Sequence, residues 1–241
     1  MTIGATLRAM TCRTVLLLAL LLPAPAIAAE RVVGVGSFTR LRVAGGYDVR
    51  VTPGSPRVRI SGERDSIEAV DAHVEGETLV VRPTVNGDWG QRPRSRAAAP
   101  VIVTITTPSL VNATLIGSGK VGVAKMTGPR VGLSLTGTGS IAVDAAQTEQ
   151  FDARLIGTGT LTVAGRTGAA RFLTSGPGTI VADKLDAGDV VVRLEGLGST
   201  TASARFTATV TSTGLGSVKI LGDAKCTVRA LAGGPVTCGR R

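Results

Sequence analysis

The chain has 241 residues, 27 basic and 17 acidic side chains, a formal net charge of +10 and 2% aromatic residues. That length admits one domain with a continuous core once a leader is set aside. The spacing of the one histidine and three cysteines excludes a zinc knuckle, since no further Cys or His stands near Cys226 and Cys238. The positive charge sets attraction to polyanions and not chemistry.

Residues 1–28 read as a secretory signal peptide: Arg8 and Arg13 form a basic start, "VLLLALLLP" an apolar run, and Ala26-Ile27-Ala28 a small-residue cleavage site. The apolar run from Val15 to Leu22 is far shorter than a bilayer span. The chain is therefore expected to be exported, to the periplasm, the cell surface or the medium, with a mature end near Ala29. Without Arg8 and Arg13 it keeps 25 basic against 17 acidic residues. Outside the cytoplasm the matching polyanions are lipopolysaccharide, acidic glycans and membrane surfaces, so nucleic acid is not an expected partner.

Residues 29–100 read as a β lead-in and cap. "SFTRLRVAG", "YDVRVTPG", "RVRISG" and "HVEGETLVVRP" alternate as strands, as does "VIVTITTP" just beyond. "DSIEAV" places Asp65 and Glu68 at capping-box spacing with Ile67 and Val70 on one face, which predicts one helical turn. His73, the single histidine, lies in a strand-like run, and no nucleophile triad assembles around it. Residues 86–100 lack a strand pattern and are expected to form a loop. Trp89, Arg92, Arg94 and Arg96 within it are candidate ligand contacts, an indole to stack on a sugar and guanidiniums to hold carboxylates or phosphates.

Residues 101–241 carry a repeat. Gly-x-Gly starts at Gly117, Gly137, Gly157, Gly176, Gly196 and Gly214, with a degenerate copy at Gly233. Apolar residues follow at alternate positions, as in Ile141/Val143 and Leu161/Val163, and a second alternating strand precedes the next corner, as in Phe151/Ala153/Leu155. Period two within a strand and a period near 20 between strands predict an all-β, single-stranded parallel β-helix, or solenoid, of about seven coils. The glycines serve the corners, which need positive φ and close backbone approach. Three residues past each first glycine stand Lys120, Ser140, Thr160, Thr179, Ser199 and Ser217. From Ser140 onward they predict an outward hydroxyl column, a candidate glycan face or an ordinary exposed ladder.

The lead-in "FTRLRVAGGYDVRVTPGSPRVRISGERDSIEAVDAHVEGETLVVRP" followed by "GSG", "GTG" and "GPG" corners resembles the bacterial head GIN-domain family of adhesin-like autotransporter heads. The resemblance spans about residues 32–238. It implies an exported parallel β-helix and carries no catalytic residues over. Pro177, Leu197 and Leu215 depart from serine in the corners. No translocator barrel is read in the sequence, so the chain is not expected to be a self-sufficient autotransporter.

Other chemistries are weaker. "GSGKVG" at 117–122 imitates a phosphate loop, but strand residues follow where a helix is required, and Val121 replaces the Ser or Thr after Lys120. No nucleotide, cofactor or metal is expected. Asp144 and Asp183 share a register seven residues past their glycines, two coils apart, or about 9–10 Å, within the range of an inverting glycosidase pair. Ala164 occupies the coil between them and no third group joins, so solvated corner residues are expected. Cys226 and Cys238, an even pair in an oxidising compartment, are expected to form a disulfide. A count of 20 from Gly214 turns Cys238 inward and a count of 19 turns it outward. The leading expectation is a non-enzymatic envelope interaction module. A purely structural envelope protein and a polysaccharide-acting enzyme are the alternatives.

Overall fold

The computed structural model describes residues 29–84 and 100–239. Residues 1–28, 85–99 and 240–241 lie outside them, and with them the expected signal peptide and almost all of the expected 86–100 loop. The lead-in supplies β1 (Ala29–Val33), β2 (Arg40–Ala44), β3 (Asp48–Pro53), β4 (Arg57–Gly62), α1 (Arg64–Glu68), β5 (Val70–Glu75) and β6 (Thr78–Pro83). Then come β7 (Ile102–Thr107), β8 (Asn112–Gly117), β9 (Lys120–Val123), β10 (Met126–Gly137), β11 (Ser140–Gly157), β12 (Thr160–Ser175), β13 (Thr179–Glu195) and β14 (Ser199–Ser212). The chain closes with β15 (Ser217–Leu221), β16 (Lys225–Ala230) and β17 (Val236–Gly239).

From β8 onward every pairing is parallel and coil on coil. Gly137 lies beside Gly157, Leu133 beside Ala153, and Phe172 beside both Ala153 and Val192. The inward column Ile141, Leu161, Ile180, Thr200 and Val218 is buried throughout, as is its neighbour Val143, Val163, Ala182, Ala202 and Ile220. Thr200 breaks the apolar run, and its hydroxyl is satisfied by the equally buried Thr174 hydroxyl at 2.9 Å, which removes the cost of an unpaired polar group. Phe151 and Phe172 meet in adjacent coils with ring centroids 6.1 Å apart. The solenoid makes about six turns, where about seven were expected. At the end, β16 and β17 each pair on one side only and form a short, incomplete rung.

The corners explain the glycines. Gly157 has φ +116, and a Cβ there would lie 2.5 Å from the Gly137 carbonyl oxygen. That oxygen accepts the N–H groups of Thr158 at 3.0 Å and Gly159 at 3.1 Å. The coil-to-coil approach therefore runs backbone against backbone, with no room for a methyl group.

The lead-in extends the solenoid as well as capping it. β2 and β3, joined through Gly45 at φ +130, pair in parallel with β8 and β9 and so form a rung of their own. The pairing crosses the division drawn at residue 100. β6 and β7 pair in parallel on the outer sides of β2 and β3, and β5, β4 and β1 extend the edges antiparallel. The predicted helical turn is present as α1, and Ile67 and Val70 are buried as expected. The capping box is not: the helix starts after Glu63, no side chain caps it, and Asp65 lies inside its first turn.

At the other end the repeat is 18 residues, neither 19 nor 20. Cys238 aligns with Ile220 and Cys226 with Ala208, both inward positions. The two cysteines form the expected disulfide, with Cα atoms 6.5 Å apart. It ties the two outermost strands together across the end of the core.

Candidate functional site

Inward positions are committed to the core, so recognition falls to outward ones. On the strands entering the Gly-x-Gly corners, outward residues line a shallow trough of about 470 Å³. Its side chains include Asn112, Ser134, Asp152, Arg154, Arg171, Leu173, Val191 and Arg193. Strand register explains the grouping: Arg154 lies beside Leu173 and Leu173 beside Arg193, while Asp152 lies beside Arg171 and Arg171 beside Val191. Arg154 and Arg193 flank Leu173 two rungs apart, roughly 9–10 Å between backbones. Gly132 deepens one end, because the Asn112 amide nitrogen occupies the space where its Cβ would be.

The trough is cationic with an apolar floor. Val191 is 44% exposed and Leu173 half-buried between the guanidiniums. Arg171 approaches the Asp152 carboxylate at 3.9 Å, and Arg193 approaches Glu195 at 3.9 Å. Both contacts are long and solvent-exposed, so neither commits its arginine. Arg154 makes no ion pair among the described residues.

A family model for "Putative auto-transporter adhesin, head GIN domain" matches residues 37–224, most of the chain. The chain belongs to the head GIN-domain family. No curated protein sequence matches it. Solved structures share the fold. A putative adhesin from Bacteroides fragilis superposes with a TM-score of 0.81 at 20% identity, covering 88% of this chain and 96% of that one. A putative lipid binding protein from Parabacteroides distasonis gives 0.72 at 16%, covering 89% and 98%. A putative adhesin from Parabacteroides merdae gives 0.68 at 15%, covering 89% and 97%.

The hydroxyl column of this GIN domain stacks as the spacing predicts. Ser140, Thr160, Thr179, Ser199 and Ser217 are consecutive partners, and the Ser199 hydroxyl donates to that of Thr179 at 3.2 Å. The column lies on the sheet beyond the corner, away from the trough. Asp144 and Asp183 do not share an unbroken register: the pairing slips between Val143 and Ala146 and again between Thr162 and Ala164, which faces Lys184. Trp89, Arg92, Arg94 and Arg96 lie outside the described residues.

His73 sits on the outward side of β5 between two carboxylates, 3.2 Å from Asp71 and 2.8 Å from Glu75. The Glu75 hydrogen bond, against a smaller desolvation, raises the imidazole above its ordinary pKa. The His73 bond in turn holds Glu75 below the usual carboxylate range. Slight burial pushes Asp71 up, but its bonds from Arg82 and His73 outweigh this and hold it low. These are surface ion pairs, and no hydroxyl or thiol completes a nucleophilic set with them among the described residues. No cluster of three metal-ligating side chains occurs among the described residues either.

The trough arginines escaped the sequence reading because the repeat draws attention to its inward columns. A signal was available. Outward positions of three successive coils carry arginine, at 154, 171 and 193, although not in one column.

Proposed function

We propose that the protein is an exported, non-enzymatic, adhesin-like module that holds acidic glycans on the arginine-lined trough. The trough itself carries the reading: Arg154, Arg171 and Arg193 gather around Leu173 and Val191 on one sheet face. Guanidinium forks hold carboxylates or phosphates in two-point contacts, and the aliphatic floor takes the C–H face of a sugar ring. The adhesin-like family and the disulfide support an extracellular or envelope setting, as does the signal-like leader. In this reading Trp89, Arg92, Arg94 and Arg96 add a second set of contacts, and the hydroxyl column serves the scaffold. Cleavage of the glycan is not part of it. Glycoside hydrolysis needs two facing carboxylates, and among the described residues Asp152 is the one carboxylate lining the trough.

Binding of the mature protein to an acidic polysaccharide such as polygalacturonate, at low and high salt, tests this. Affinity is expected to fall steeply with salt and at least tenfold in the Arg154→Ser/Arg171→Ser/Arg193→Ser variant, with the polymer's length distribution unchanged after incubation. Retained affinity in that variant, or shortened polymer, contradicts the reading.

A further inference from the structure

The middle residue of each Gly-x-Gly corner is the one place in the repeat where the fold imposes little. The flanking glycines are pinned: a Cβ at Gly214 would lie 1.9 Å from the Gly196 carbonyl oxygen, and one at Gly216 2.1 Å from that of Gly198. The residue between them points to solvent. In the first three corners it is Ser118, Thr138 and Thr158, all exposed, and in the next three Pro177, Leu197 and Leu215, also exposed. Leu197 is 68% exposed and Leu215 65%. They occupy successive coils, about 4.8 Å apart along the stack. Leu231, 78% exposed, enters the next corner, its N–H bonded to the Ser212 carbonyl at 2.8 Å.

Isolated surface leucines need no explanation, but Leu197 and Leu215 in successive corners form an apolar ridge, and Leu231 stands two residues ahead of the matching position in the next coil. The scaffold does not require them, since the same position takes serine or threonine earlier in the same molecule. The ridge is convex, so it cannot serve as a pocket for a partner's side chain, and it lacks the aromatic anchors typical of protein hot spots. Lys219 lies on the strand leaving the Leu215 corner and Arg229 on the strand approaching Leu231, both exposed, while Glu195, entering the Leu197 corner, sits 3.9 Å from Arg193. Beyond residue 200 the described chain holds Arg205, Lys219, Lys225 and Arg229 against the single acid Asp223.

We propose that this ridge docks the protein on an anionic phospholipid bilayer. The leucines enter the boundary between headgroups and acyl chains, and Lys219 and Arg229 meet lipid phosphates. Aliphatic insertion and attraction to acidic headgroups reinforce each other at such surfaces. The trough opens on the sheet approaching the corners, so a docked molecule can still present it.

Co-sedimentation of the mature protein with vesicles of phosphatidylglycerol and phosphatidylcholine, against phosphatidylcholine alone, tests the proposal. The comparison variant is Leu197→Thr/Leu215→Thr, which installs the residue already present at Thr138 and Thr158 and leaves the fold unchallenged. Wild type is expected to bind the anionic vesicles at least tenfold better than the neutral ones, and the variant to lose tenfold or more with an unchanged melting temperature. Arg154→Ser/Arg171→Ser should bind vesicles as wild type does, which separates this proposal from glycan binding. Undiminished binding by the threonine variant, no binding by wild type, or leucine-dependent self-association in sedimentation velocity would each overturn it.

Discussion

Replacing Gly157 by alanine adds one methyl group at a corner where the chain has no space. The new Cβ lies 2.5 Å from the Gly137 carbonyl oxygen and 3.2 Å from that residue's carbonyl carbon and nitrogen, and φ is +116. The conformation costs about 1–3 kcal/mol for a residue with a Cβ. Relieving the overlap costs about 1–3 kcal/mol more, because backbone and not a flexible side chain must move. The carbonyl that must move also accepts the Thr158 and Gly159 N–H groups, so its displacement weakens the corner ladder. The expected loss is roughly 2–6 kcal/mol, a large share of a typical domain's stability. With a urea dependence of about 2–3 kcal/mol per molar, the unfolding midpoint falls by roughly 1–3 M. Thr158→Ala, one residue away and exposed, should change stability by under about 0.5 kcal/mol. Urea unfolding followed by circular dichroism compares the two. Equal, small shifts would refute the claim that these glycines are demanded by coil-on-coil contact.

Thr200→Val leaves the buried Thr174 hydroxyl without its partner and should cost about 1–3 kcal/mol, whereas Thr174→Val/Thr200→Val should recover most of the loss in thermal melts. Thiol titration of the oxidised mature protein should find neither Cys226 nor Cys238 free, and Cys226→Ser/Cys238→Ser should lower stability by about 2–3 kcal/mol. The His73 ring should titrate above its ordinary value of 6.5 by NMR, and Glu75→Gln should bring it down. Because the folded value is the raised one, the attraction stabilises the fold fully below 6.5 and is lost as pH rises through the folded pKa.

The solenoid was legible because in-register parallel stacking repeats one demand at one angular position. Every corner needs its glycines, and every inward column needs an apolar residue such as Ile141, Leu161 or Ile180. What escaped had no such repetition. The β2–β3 rung lies on β8 and β9, more than 60 residues later in the chain, and its corner, Gly45-Gly46-Tyr47, lacks the Gly-x-Gly form. The final coil shortens to 18 residues, a count that keeps Cys238 inward as 20 would. The trough depends on which outward side chains meet across strands. Arg154 and Arg171 fall in different columns, so their proximity follows from the sheet register and not from their spacing in the chain.

In the proposed function, recognition resides in outward arginines carried on a chemically inert scaffold. NMR spectra of arginine side-chain Nε–H groups and of the single indole, recorded while an oligogalacturonate is added to the mature protein, test it most directly. Perturbations concentrated at Arg154, Arg171 and Arg193, abolished by high salt, are the predicted result. Perturbations confined to the Trp89 indole and Arg92, Arg94 and Arg96, with the trough resonances unmoved, would contradict it.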